Sequence, residues 1–175
     1  MTIEEVQQKA EDMATRYNPE GLSPFPFENI PRDKKDIQIL LNDGMPDDVS
    51  GIAGFFPEKQ GFAILINKNK PPARRYFTIA HELGHYFLHQ EEMRRNPFVD
   101  KDPFLDRGGM PFRYDSETAA RLEMEANNFG ASLIMSAELV KKAWSKLKSV
   151  EECAEVFNVS VEAMSIRLTK LGLLN

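Results

Sequence analysis

Five consecutive residues, His81-Glu82-Leu83-Gly84-His85, place the strictest demand on how this 175-residue chain folds. Two histidines four positions apart reach one metal ion only on a helix, where they lie one turn apart on the same face. The glutamate between them then stands where it can take a proton from a water held by the ion. On a loop or a strand the same five residues carry no chemistry. The flanking sequence meets the helical condition. With His81 at zero on a helical wheel, His85 falls near ~40°, Thr78 near ~60° and Glu82 near ~100°. Tyr86, Ile79, Leu83, Tyr76, Phe87 and Ala80 fill the opposite arc, roughly 140° to 260°. Such a helix has an apolar back to pack on a sheet and a polar front to hold an ion.

A catalytic zinc site takes three protein ligands and keeps one position for water, so a third ligand is required. His89 stands eight residues past His81, about 12 Å along the axis, too far to share one ion with both histidines. It reads instead as a helix C-terminal residue interacting with the dipole. The segment Glu123-Met124-Glu125-Ala126-Asn127 offers two carboxylates. Around Glu123 the wheel gathers Ala119, Ala120, Ala126, Asn127 and Gly130 within roughly 60°, small residues that let two helices approach. Glu125 points with Thr118, Arg121 and Ser132, the polar side. Helical geometry therefore selects Glu123 as the third Zn²⁺ ligand and leaves Glu125 at the surface. Asn127, one turn beyond Glu123, is placed to orient a ligating histidine.

Hydrophobic residues make up 42% and charged residues 28%, enough apolar surface for a packed core. The net charge of -5 argues against broad binding to a phosphate backbone. Cys153 stands alone, which excludes an internal disulfide and a cysteine-rich zinc finger. Glu4, Glu5, Glu11 and Asp12 occupy the stretch where a signal peptide would be apolar. No segment approaches the roughly 20 apolar residues of a membrane span, so the expectation is a cytoplasmic protein.

Residues 2–17 read as an amphipathic helix and Asn18–Pro31 as irregular. Asp36–Leu41, Gly51–Phe56 and Phe62–Ile66 read as short strands, the last two joined as a hairpin through Pro57–Gly61. One of these two is expected to offer a free sheet edge near the His-bearing helix. Residues 91–115, with their prolines and glycines, read as a long loop of the kind that often carries function. From Ser116 onward the pattern is helical: 117–134, 137–147, 150–157 and 161–171. The expected division is a metallopeptidase domain over 1–149 and a helical appendage over 150–175, packed on the same core. That appendage has the outline of a helix-turn-helix, joined at Phe157-Asn158-Val159-Ser160. Glu151, Glu152, Glu155 and Glu162 crowd it, opposed only by Arg167 and Lys170. Such charge repels phosphates and favours packing on the core or docking of a partner over direct DNA binding.

Two longer stretches resemble the ImmA/IrrE family of metallopeptidases: Phe77-Thr78-Ile79-Ala80-His81-Glu82-Leu83-Gly84-His85-Tyr86-Phe87-Leu88-His89, and the segment from Glu123 through Asn127-Asn128-Phe129-Gly130 to Met135. Asn158-Val159-Ser160 and the run from Arg167 to Leu174 are similar to that family too. The resemblance covers roughly residues 25–174. It implies an α+β, zincin-like fold: a small, about three-stranded sheet packed on the HExxH helix, with a mostly helical C-terminal half. It also implies a cytoplasmic protease that cleaves helix-turn-helix (Xre-type) repressors encoded nearby, with His81, His85 and Glu123 as ligands and Glu82 as general base. Ser136 departs from the proline that usually follows the methionine, and it can serve as a helix N-cap for 137–147. The 91–115 segment is longer than the resemblance leads one to expect.

The leading expectation is thus a zinc-dependent endopeptidase acting on a regulatory protein. The alternative is a zinc-containing regulatory or toxin-module protein that works by binding, with little protease activity. Intact Glu82 favours the first, because a pure binder has no need of the base.

Overall fold

In the computed structural model, residues 1–101 and 116–174 are described. Helix α1 (Ile3–Tyr17) starts at a reciprocal cap: Glu5 N–H donates to Thr2 Oγ1 at 3.2 Å and Thr2 N–H to the Glu5 carboxylate at 2.8 Å. It buries Val6, Ala10, Ala14 and Tyr17 from one face. A short helix α2 (Asn29–Asp33) follows within the segment expected to be irregular up to Pro31. Strands β1 (Ile37–Asn42), β2 (Val49–Phe56) and β3 (Gly61–Asn67) lie close to their expected positions. The β2–β3 hairpin turns through a single 3-10 turn at Pro57–Lys59.

The sheet has four strands among the described residues, one more than expected, in the order β1-β3-β2-β4. The fourth, β4 (Phe98–Lys101), and helix α4 (Gln90–Arg95) both fall in the stretch read as a loop. Four residues carry too little alternation to be recognised as a strand. Pairing makes β4 one: it runs antiparallel to β2, with Ala53 opposite Phe98 and Ile52 opposite Val99. β1 runs parallel to β3, and β2 antiparallel to it. The two strands expected to offer an edge are therefore both interior; among the described residues the edges are β1 and β4.

Helix α3 (Pro72–Leu88) lies between this sheet and helix α5 (Ser116–Ile134), and α1 packs on α5 from elsewhere. α3 and α5 cross in backbone contact. A Cβ built on Gly84 would lie 2.8 Å from the Ala126 carbonyl oxygen, and one on Gly130 would lie 2.9 Å from Ala80 C and His81 N. Helix α6 (Ala137–Leu147) begins after Ser136, whose side chain makes no cap bond. The cap comes from Glu11 on α1, which accepts from Ala137 N–H at 2.9 Å. Helices α7 (Val150–Phe157) and α8 (Val161–Lys170) contribute Cys153, Ala154, Phe157, Met164 and Leu168 to the same apolar core. Arg167 is buried, donating to Met135 O at 2.9 Å and to Glu11 at 2.8 Å. One of the two cations counted against the glutamates of this segment is thus an internal strut, while Glu151, Glu152, Glu155 and Glu162 are exposed. Among the described residues no helix is long and apolar enough to cross a membrane.

The α3–α5 contact yields a stability prediction. Gly84→Ala gains ~1 kcal/mol of helix propensity. It meets backbone atoms that cannot rotate away, an overpacking cost of about 3 kcal/mol. The net loss should lower the thermal midpoint by roughly 4–8 °C, read by circular dichroism. An unchanged or higher midpoint would show that the two helices part freely.

Candidate metal centre

The third and fourth turns of α3 aim His81, Glu82 and His85 at one space, and α5 brings Glu123 to it across the glycine contact. His81 Nε2 lies 3.2 Å from Glu123 Oε2, and His85 Nε2 lies 3.4 Å from Glu123 Oε1. The two Nε2 atoms are 3.2 Å apart. These three residues form a group able to hold a metal ion among the described residues. A tetrahedral ion with bonds of about 2.0–2.1 Å separates its ligand atoms by about 3.3 Å, so the donor triangle fits a small divalent cation. The donor set, two imidazoles and a carboxylate, suits zinc chemistry equally well.

Electrostatics points the same way. Burial opposes charge on His81, yet the Glu123 hydrogen bond and the Glu82, Glu123 and Asp100 carboxylates lift its pKa to about 9. Burial takes His85 down to about 4. The pair thus favours one positive charge, held between two converging nitrogens and a carboxylate. Burial alone would raise Glu123, but the hydrogen bond with the His81 ring and the close His85 ring hold it well below the usual carboxylate range.

Glu82 is fully buried, and among the described residues neither carboxylate oxygen has a hydrogen-bond partner. Burial pushes its pKa up to about 8. It sits against Gly51 of β2, where a Cβ would come within 3.2 Å of Oε1 and 2.6 Å of Thr78 Cγ2. A buried carboxylate without partners is costly, and it marks a group held ready for a proton or a cation.

The surrounding residues fix the rings. Asn127 Oδ1 lies 3.0 Å from His81 Nδ1, the position expected for a residue orienting that histidine. Phe98 of β4 stacks on His85, with ring centroids 3.8 Å apart and planes 16° from parallel. Asp100 of β4 accepts from Arg74 at 3.0 and 3.1 Å and from Thr78 at 3.1 Å, pinning the edge strand to α3. The sequence reads Phe98 only as a core and loop anchor and offers no signal for Asp100, because their strand is not recognisable there.

Glu125 requires a correction. It is 3% exposed rather than at the surface, whereas the Glu123 side chain is 40% exposed. Glu125 accepts from Arg121 at 3.0 Å, lies 3.5 Å from the Met1 amino group, and sits 2.8 Å from His89 Nε2. His89 caps the C-terminus of α3 and is buried there, outside the donor triangle. The wheel treated the polar flank of α5 as solvated; a polar histidine on the neighbouring helix turned that flank inward.

Comparison with known proteins agrees with this arrangement. The IrrE N-terminal-like domain matches residues 32–169. Metallopeptidase ImmA of Bacillus subtilis (strain 168) is 30% identical over 144 residues, which span 80% of this chain and 73% of that protein. A solved structure, a Mycobacterium tuberculosis transcriptional regulator, superposes with a TM-score of 0.64 at 16% identity, over 94% of this chain. That likeness is one of fold, and the chain spans 47%, about half, of that protein's length. The family match runs through both helices of the donor triangle, and on that evidence the chain belongs to the ImmA/IrrE family of metallopeptidases.

Proposed function

We propose that this protein is a zinc-dependent endopeptidase, with His81, His85 and Glu123 as metal ligands and Glu82 as general base. The observation that carries the reading is the convergence of three donor atoms at 3.2–3.4 Å beside a buried carboxylate without partners among the described residues. Bound by these three residues, zinc would supply Lewis acidity and lower the pKa of a water. Glu82 takes the proton of the attacking water at its carboxylate and delivers it to the departing amine. Burial raises its basicity and a neighbouring cation restrains it, which keeps its pKa near the working pH. Asn127 accepts from His81 Nδ1–H and so keeps the Nε2 lone pair turned toward the site.

The substrate proposal rests on family and on shape. ImmA-like chemistry directed at a helix-turn-helix repressor is the class we favour, with the protein acting in the cytoplasm. An extended substrate gains affinity by adding to a sheet edge. β4 is the edge that touches the site, through Phe98 on His85 and Asp100 on Thr78. The chain over 1–149 would then form the peptidase unit, and 150–175 an acidic helical addition packed on it and suited to a protein partner rather than to DNA.

The isolated protein should carry about one Zn²⁺ per chain, as a three-ligand catalytic site requires. His81→Ala, His85→Ala or Glu123→Ala should each remove most of it, measured by metal analysis after dialysis. Zinc retained in Glu123→Ala would refute the ligand set.

Glu82→Gln should keep zinc and melt no lower than wild type in the metal-free form, since an amide of the same shape replaces a buried carboxyl group that has no partner among the described residues. It should nevertheless abolish cleavage. Incubation of wild type with the helix-turn-helix repressor encoded beside its gene should yield one or two discrete fragments, blocked by a chelator. Turnover by Glu82→Gln would sink the base assignment. A zinc-loaded wild type inert on such repressors would favour a regulator that works by binding.

A further inference from the structure

His85 uses one ring nitrogen for the donor triangle and the other for a second imidazole. Its Nδ1 lies 3.0 Å from Nδ1 of His89, and His89 Nε2 lies 2.8 Å from Glu125 Oε2. The other Glu125 oxygen accepts from Arg121 at 3.0 Å. His85, His89 and Glu125 are all buried, so water does not compete for these bonds.

The hydrogen positions follow from the order of the chain. A carboxylate facing a guanidinium only accepts, so His89 donates to Glu125 from Nε2. Arg121 already balances the carboxylate charge, so nothing calls for a second proton on His89, and its Nδ1 presents a lone pair. Two facing ring nitrogens need one N–H and one lone pair between them, so His85 donates from Nδ1. Its Nε2 is then the lone pair, directed at His81 and Glu123. The opposite order would place a proton on His85 Nε2, on the atom that the metal needs. A doubly protonated His89 would enforce that wrong order.

We propose that Glu125 and His89 form a buried relay that selects the Nδ1–H tautomer of His85 and fixes its rotation about the side chain. Both are positioning residues for the metal centre, and the inference rests on the reading of His85 as a ligand. Phe98 holds the plane of the ring and His89 holds its spin within that plane. Two neighbouring carboxylates of α5 thus have separate tasks: Glu123 in the donor triangle, and Glu125 behind the partner of a ligand. The spacing of His81, His85 and His89 at successive turns gives α3 two imidazoles for the ion and a third to orient the second of them.

Two measurements on the full chain test this. Nitrogen-15 NMR of the chelator-stripped protein reads the tautomer of each ring, and competition with a chromophoric chelator reads zinc affinity. In wild type, His85 should show a protonated Nδ1 and a pyridine-like Nε2. His89→Ala should lose that preference and weaken zinc binding by about 10- to 100-fold, while still loading one ion at saturation. Glu125→Leu should move the same signals in the same direction. His89→Gln, whose amide oxygen accepts from Nδ1–H, should recover most of the loss, and it remains informative should the alanine variant fold poorly. A wild-type His85 protonated on Nε2 would overturn the relay, as would His89→Ala and Glu125→Leu proteins that bind zinc as tightly as wild type. A wild type that binds no zinc would count against the metallopeptidase reading instead, and the spectrum of the metal-free protein would still judge the relay.

Discussion

Where α3 and α5 cross at Gly84 and Gly130, no side chain separates the two backbones. That contact sets the width of the whole site. The imidazoles of His81 and His85 extend from α3 by a fixed length, and the Glu123 carboxylate by another. Only a close crossing brings their tips to 3.2–3.4 Å. Glycine weakens each helix by about 1 kcal/mol relative to alanine, and close packing of the pair offsets it. The same crossing puts Asn127 against His81 and Glu125 against His89, so the candidate ligands and the residues that touch them are registered by one event.

On its other side α3 rests on the sheet, and there the arrangement is looser in kind. β4 is short and at the edge, yet it is tied to α3 by the Asp100 bonds to Arg74 and Thr78 and by the Phe98 stack on His85. This edge strand is therefore in direct contact with a candidate ligand. Far from the site, Glu11 joins α1, α6 and α8 through Ala137 and Arg167. A single carboxylate caps α6 and pairs with the buried guanidinium of α8.

Much of this was legible in the sequence, and the limits were physical. The HExxH helix and its apolar back show in one helical wheel because they belong to one helix. Glu123 could be preferred over Glu125 because small residues surround it, and small residues are what a close crossing demands. The buried state of Glu125 could not be read that way, since it depends on His89 of a different helix. A wheel knows its own element and nothing of the element's neighbours. β4 was missed for the related reason that a four-residue strand is made by its partner, here β2, more than by its own composition. α4 was within reach: Glu91 and Glu92 open it, and Arg94 and Arg95 close it, the charge order that a helix dipole favours.

Gly51 has a consequence for the molecule as a whole. By carrying no side chain it lets the Glu82 carboxylate pack against the backbone of β2, where among the described residues neither oxygen has a hydrogen-bond partner. Each unmade hydrogen bond on a buried polar group costs about 1–3 kcal/mol, and the rest of the fold has to absorb that deficit. The candidate site then holds two of the four buried side-chain atoms that lack a hydrogen-bond partner among the described residues. A substitution that gave Glu82 a partner would make a more stable molecule and, on the proposed reading, a weaker base. Stability-driven engineering of this chain, if blind to function, would find that site early and extinguish the reactivity stored there.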